Sequence, residues 1–128
     1  MTSRQALGAA GEDLAAVWYE ARGYIVATRN WRCREGELDL VLFHPELGAQ
    51  TPGSRGLVVF CEVKTRRGNA FGAPFEAVTV AKQRTIRSVA LRWLAEHPQR
   101  GADLRFDVAS VLAPRDGAAV VEVIEAAF

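Results

Sequence analysis

The sequence predicts an α/β domain, a mixed β-sheet flanked by helices in the order α-β-β-β-α-β-β. Three observations carry that expectation. Two stretches space their apolar residues at helical intervals, and five shorter runs read as strands. A strand, a helix and a strand follow one another across the middle of the chain, which favours a sheet with helices on its faces. Finally, 128 residues of which 49% are hydrophobic and 24% charged are enough to close one core, so positions 1–128 read as a single domain.

Each element has its own signal. Ser3 is placed to cap a helix running to about Arg22, with Gly23 as its stop. Leu7, Leu14, Trp18 and Ala21 form one stripe of it, and Gly8, Glu12, Ala15 and Tyr19 a second face. Glu12 thus sits among small and aromatic residues, whereas Asp13 and Glu20 read as solvated. Tyr24 to Trp31 reads as a strand, Cys33 to Gly36 as a turn, and Glu37 to Phe43 as the next strand. A loop from His44 to Gly56 carries Pro45 and Pro52 and no apolar pattern. Leu57 to Thr65 is apolar enough for the middle of a sheet. After a Gly- and Pro-containing stretch, Thr79 to about His97 has Ile86, Val89, Ala90, Trp93 and Leu94 on one side of a helix. Asp103 to Leu112 and Ala118 to Ile124 are the last strands, joined by a Pro114–Gly117 turn.

Composition also excludes classes. No run approaches the ~18 apolar residues that span a membrane, and the first residues lack a signal-peptide stretch, so the expected location is cytoplasmic and no membrane partner is expected. Cys33 and Cys61 have no CxxC spacing; both are expected to fill space as buried residues. His44 and His97 lack a second ligand at metal spacing and read as surface residues. Trp18, Trp31 and Trp93 read as core. No Walker-type loop or GxGxxG is present. The net charge is +1, but between Glu62 and Arg92 seven cations (Lys64, Arg66, Arg67, Lys82, Arg84, Arg87, Arg92) face two anions (Glu62, Glu76). One basic segment on a near-neutral chain fits a localised anionic partner.

The chemistry is expected where the second and third strands meet. Side chains alternate along a strand, so Glu37 and Asp39 are expected on one face of the first, and Glu62 and Lys64 on one face of the second. Paired as a hairpin, these strands bring their acids to one end of the sheet. Each acid interrupts a Leu/Val/Phe run, where a carboxylate is costly unless paired or bound to a cation. Two adjacent carboxylates suit Mg²⁺ or Mn²⁺, as one or two ions with water completing the shell. A lysine two residues after the second acid can hold a water or neutralise charge on a phosphorane-like transition state. From residues and spacing alone, a metal-dependent nuclease site and a structural ion-pair cluster both stay open. Lys82 lies at helical spacing with Ile86, Val89 and Trp93; it either snorkels off the helix end or points into the site. Arg66, Arg67, Arg84 and Arg87 are candidates for phosphate contacts beside it.

The chain resembles the YraN-like family of uncharacterised bacterial proteins, within the restriction-endonuclease-like PD-(D/E)xK superfamily, and is similar to archaeal Holliday-junction resolvases. The resemblance covers nearly the full length. It rests on Gly11-Glu12-Asp13-Leu14-Ala15, Gly23-Tyr24, Arg29-Asn30-Trp31, Gly36-Glu37-Leu38-Asp39-Leu40, Phe60-Cys61-Glu62-Val63-Lys64-Thr65-Arg66, Phe71-Gly72, Lys82 and Arg105-Phe106-Asp107-Val108. Leu38 stands where the family commonly has Ile, and the His44–Gly56 loop is longer than usual. The resemblance implies a restriction-endonuclease-like core in which Glu12, Asp39, Glu62 and Lys64 are the catalytic acids and lysine. Asp39, Glu62 and Glu37 would hold the metal, and Arg66, Arg67, Lys82, Arg84 and Arg87 would hold nucleic acid. The implied activity is a divalent-metal-dependent endonuclease on DNA, including branched or junction DNA in recombination or repair, working as a homodimer. The alternative is a nucleic-acid-binding or adaptor protein that keeps the fold with weak catalysis.

Overall fold

The computed structural model describes residues 2–48, 52–68, 78–98 and 101–128. Phe71, Gly72 and Glu76 lie outside them. The elements are α1 (Ser3–Glu20), β1 (Ile25–Cys33), β2 (Gly36–His44), β3 (Leu57–Arg66), α2 (Val80–Glu96), β4 (Asp103–Leu112) and β5 (Val120–Ile124). They follow the expected order. Their sheet runs β1-β2-β3-β4-β5 with β3 at its centre. β1, β2 and β3 pair antiparallel, β4 pairs parallel with β3 through the α2 crossover, and β5 returns antiparallel, so the sheet is mixed.

Each helix covers one face. α1 packs Ala15, Ala16 and Tyr19 on Leu40, Leu42, Leu57, Val59, Cys61, Ala109 and Val111. α2 packs Ile86, Val89, Ala90 and Trp93 on Val41, Val58, Phe60, Phe106 and Val108. In β3, Val58 and Phe60 serve the α2 side while Val59 and Cys61 serve the α1 side. That is the period-two alternation of a strand buried on both faces.

Several local expectations need correction. Thr2, not Ser3, caps α1: its Oγ1 accepts the Gln5 N–H, and the Gln5 side chain accepts the Thr2 N–H, a capping box that the T-x-x-Q spacing permits. α1 ends at Glu20, two residues early, and Gly23 (φ +89°) turns the chain into β1. The stripe Leu7, Leu14, Trp18 and Ala21 is not the buried face; Gly11, Ala15, Ala16 and Tyr19 are. Small residues win because the helix lies close on the sheet. A Cβ on Gly11 would come within 2.8 Å of Thr65 Cβ, inside van der Waals contact. Of the tryptophans, Trp93 is buried, while Trp18 and Trp31 are half-buried. Cys33 is half-buried as well and donates to Glu35, in contrast to buried Cys61. His44 and His97 are half-buried rather than surface groups: one packs edge-on against Tyr24, the other stacks on Trp93 at 4.5 Å.

Candidate active site

The pairing of β2 with β3 runs from His44↔Leu57 to Leu40↔Cys61 and ends there. At the next position the Asp39 carboxylate takes over: its Oδ2 accepts the Val63 N–H at 2.8 Å. The pairing of β1 with β2 is also interrupted here. Arg29↔Leu40 and Trp31↔Leu38 pair, and Asn30 between them has φ +50°, a left-handed conformation that Asn tolerates better than most residues. Leu38 belongs to the core under α2 and Leu40 to the core under α1, so simple alternation fails at Asp39. Glu37 and Asp39 nonetheless lie close enough to act on each other and on Glu12 of α1. Asp39 sits where the strands part.

Glu62 meets it from β3, within hydrogen-bonding reach of the Asp39 carboxyl. Burial pushes the Asp39 carboxyl up to about 7, with the Glu62 charge adding to the rise and the Val63 N–H opposing it. Glu12 reaches the same region from α1. Its carboxyl is raised by burial, lowered by a hydrogen bond from Asn30, and raised again by Asp39. Glu37 contributes charge to both acids, yet its own carboxylate pairs with Arg32 at 3.0 Å. Glu12, Asn30, Arg32 and Glu37 line one open groove of about 650 Å³. Among the described residues no three His, Cys, Asp or Glu side chains lie close enough to hold a metal ion together.

The lysines divide. Lys82 Nζ, from the first turn of α2, lies 3.7 Å from Glu62 Oε1. It places a positive charge on one of the two adjoining acids, a stand-in for a cation there. Lys64 follows Glu62 by two residues on β3, opposite Ser110 of β4, and makes no ion pair among the described residues. Two carboxylates, with water and a substrate oxygen for the remaining positions, are a donor set that Mg²⁺ or Mn²⁺ accepts. The arginines spread outward. Arg66 ends β3 with Nε buried and without a hydrogen-bond partner among the described residues, and Arg67 donates to the Ala113 carbonyl. Arg84 is exposed on α2, and the Arg87 guanidinium lies 4.8 Å above the Phe106 ring.

Sequence reasoning missed a fully buried acid. Asp107 is 0% exposed on β4. Its Oδ2 accepts from Tyr19 Oη (2.7 Å) and Arg105 Nη2 (2.9 Å), and its Oδ1 from Arg105 Nε (2.8 Å) and the Ala126 N–H (3.0 Å). Arg105 also donates to Tyr24 Oη at 3.0 Å. Tyr24, Glu46, Asp103, Arg105 and Glu125 border an open cavity of about 1130 Å³ beside the starts of β3 and β4. The signal was present, since Asp107 interrupts the run Phe106–Leu112 as Asp39 interrupts its own. Asn30 was missed too, because its role depends on backbone twist rather than spacing.

Known proteins agree with one another about this chain. The model of "Uncharacterised protein family UPF0102" matches residues 11–111. A UPF0102 protein of Clavibacter michiganensis subsp. michiganensis is 46% identical over 127 residues, covering 99% of both chains. One from Frankia casuarinae is 48% identical over 128 residues and 100% of both, and one from Nocardia farcinica 47% identical over 125 residues, 98% of this chain and 91% of its own. No described helix is long and apolar enough to cross a membrane. With Glu12, Asp39, Glu62 and Lys64 all inside the matched span, the chain belongs to the UPF0102 family.

Proposed function

We propose that this protein is a divalent-metal-dependent endonuclease of the PD-(D/E)xK type that hydrolyses phosphodiesters in DNA, with branched and junction DNA as preferred substrates. The carrying observation is the meeting of Asp39 and Glu62 where β2 leaves β3, with a carboxyl there raised to about 7. An acid held in this way is costly for the fold and has no structural return that a neutral side chain could not provide. The resemblance of the GELDL and CEVKT segments to that superfamily supports the same reading.

Asp39 and Glu62 would hold the ion; Glu37, paired with Arg32, would join only after exchanging that partner. Bound Mg²⁺ or Mn²⁺ supplies Lewis-acid neutralisation of a phosphate oxygen. Lys64 then donates to the oxygens that gain charge as water attacks phosphorus. Glu12, protonating more readily than an ordinary carboxyl, orients that water or accepts its proton. Arg66, Arg67, Arg84, Arg87 and Lys82 fix the flanking phosphates. Symmetric incision of a junction needs two such sites, so the proposal carries a homodimer on DNA, visible as doubled mass in sedimentation.

The alternative, a DNA-binding adaptor with weak catalysis, draws on one observation: among the described residues no third acid completes a metal cage. Incubation with junction, flap, single-stranded and duplex DNA in Mg²⁺ or Mn²⁺ separates the two. The nuclease reading expects cleavage that falls on the order of 10²-fold in Lys64→Ala. Binding without cleavage favours the adaptor, and cleavage at the wild-type rate in Lys64→Ala marks a contaminant.

A further inference from the structure

Lys82 occupies an unusual place. Thr79 caps α2 and its side chain accepts the Lys82 backbone N–H, so Lys82 stands in the first helical turn, at the positive end of the helix dipole. No acidic residue in that turn offsets it. Its ammonium is instead held by Glu62 across the gap between α2 and β3. The 3.7 Å separation exceeds hydrogen-bond length. Glu62 is 16% exposed and Lys82 47% exposed, so a poorly solvated acid is matched by a loosely held, half-solvated cation.

Resting on the nuclease reading above, we propose that Lys82 is an exchangeable counter-ion: it neutralises Glu62 in the metal-free protein and transfers to a substrate phosphate when a divalent cation takes the carboxylates. A single ammonium cannot neutralise both Asp39 and Glu62, whereas a divalent ion can, so the ion displaces it. Once displaced, the ammonium remains tethered at the start of α2 with no acid in its own turn, beside the oxygens of a phosphate bound to the ion. Metal and DNA binding thereby reinforce each other, and the coupling is reciprocal. Lys64 differs: it makes no ion pair among the described residues and has no carboxylate to leave.

The test uses the full chain as wild type, Lys82→Met and Lys82→Arg. Thr79 keeps its cap in each, because it bonds the backbone of residue 82. Mn²⁺ is titrated calorimetrically without DNA, and a labelled four-way junction is titrated by anisotropy in EDTA and in Mn²⁺, in a Lys64→Ala background that suppresses cleavage. Exchange predicts that Lys82→Met binds Mn²⁺ about two- to fivefold more tightly than wild type, the worth of a half-exposed ion pair, with Lys82→Arg close to wild type. It also predicts that Lys82→Met weakens junction binding in Mn²⁺ and not in EDTA, a dependence that a structural role would not create. Unchanged or weaker Mn²⁺ binding in Lys82→Met overturns the exchange and leaves the nuclease reading standing. So does an equal loss of junction binding in EDTA, which would make Lys82 a permanent phosphate contact. Absence of Mn²⁺ binding or of junction binding by wild type overturns the nuclease reading and the exchange together.

Discussion

Two aspartates on one sheet, Asp107 buried and Asp39 half-buried, received opposite treatment. Asp107 is enclosed by four hydrogen bonds, from Tyr19, twice from Arg105 and from the Ala126 N–H, with the Arg105 guanidinium itself held by Tyr24. Asp39 accepts the Val63 N–H and faces Glu62, Glu37 and Glu12. In the first case the charge is matched and the network ties α1 to β4; against the cost of burial, the hydrogen bonds and negative charge of Asp107 raise the affinity of Arg105 for its proton. In the second, Lys82 at 3.7 Å from Glu62 is the cation offered to the adjoining acids, and the Asp39 carboxylate itself makes no ion pair among the described residues. The first is a closed structural ion pair; the second sets an acid beside like charge, and the proposed metal site rests on that arrangement.

The contrast can be broken by substitution. The largest effect is expected from Asp107→Ala, which strands the mostly buried Arg105 charge and frees Tyr19 Oη. Breaking such a buried pair costs about 3–5 kcal/mol, to be read from urea unfolding. A loss below ~1 kcal/mol would show that the network does not hold α1 in place. Asp39→Asn is expected to act in the opposite direction. The Asp39 carboxyl is raised from 3.8 to about 7 by folding, so the folded state keeps its proton longer than the unfolded chain. Its contribution is therefore fully favourable below pH ~4, is lost as pH rises from ~4 to ~7, and is flat above that, with a total on the order of 4 kcal/mol. At pH 8 without metal Asp39→Asn should thus be more stable than wild type, and the advantage should vanish near pH 4. Urea unfolding at pH 4 to 9 checks both ends; an equal pH slope in the variant would mean that Asp39 is not the group responsible.

Smaller effects sharpen the comparison. Tyr19→Phe removes one of four donors to Asp107 and should cost about 1–3 kcal/mol at every pH between 5 and 9, without altering the response to Mn²⁺. Glu12→Gln should change stability by less than ~1 kcal/mol, since Glu12 borders an open groove with the Arg29 charge nearby, and should blunt rather than abolish the gain from Mn²⁺. Thermal melts of both variants with EDTA and with Mn²⁺ give the comparison directly. An effect of Tyr19→Phe on the metal response would join two regions that the hydrogen bonding keeps apart.

Much of this was legible in the residues. Element order follows from periodicity, and β4 spans Asp103–Leu112, the run that apolar patterning marks out. The meeting of Asp39 and Glu62 follows from two acids interrupting apolar strands separated by a turn-rich loop. The buried face of α1 was not legible, because apolar scales favour Leu7, Leu14 and Trp18 whereas close approach of helix to sheet selects Gly11, Ala15 and Ala16. Strand alternation does not carry through Leu38 and Leu40, which serve opposite faces, and that break coincides with the left-handed Asn30 and with the end of β2–β3 pairing. Neither is written in residue type. Nor does spacing reveal that Lys82 lies on Glu62, which requires knowing how α2 crosses the sheet. Asp107, by contrast, carried the same signal as Asp39 and was separated from it only by its donors.

The most direct measurement is a thermal melt at pH 8 of wild type and Asp39→Asn, each with EDTA and then with Mn²⁺ at ~100-fold its dissociation constant. A ligand that binds the native state alone adds RT ln(1 + [L]/Kd), roughly 2.7 kcal/mol at that excess, which corresponds to roughly 10 °C for a domain of this size. Wild type should start lower and rise by about that amount, while Asp39→Asn should start higher and barely move. If both rise equally, the cation binds elsewhere, and the adjoining acids where β2 and β3 part are not a metal site.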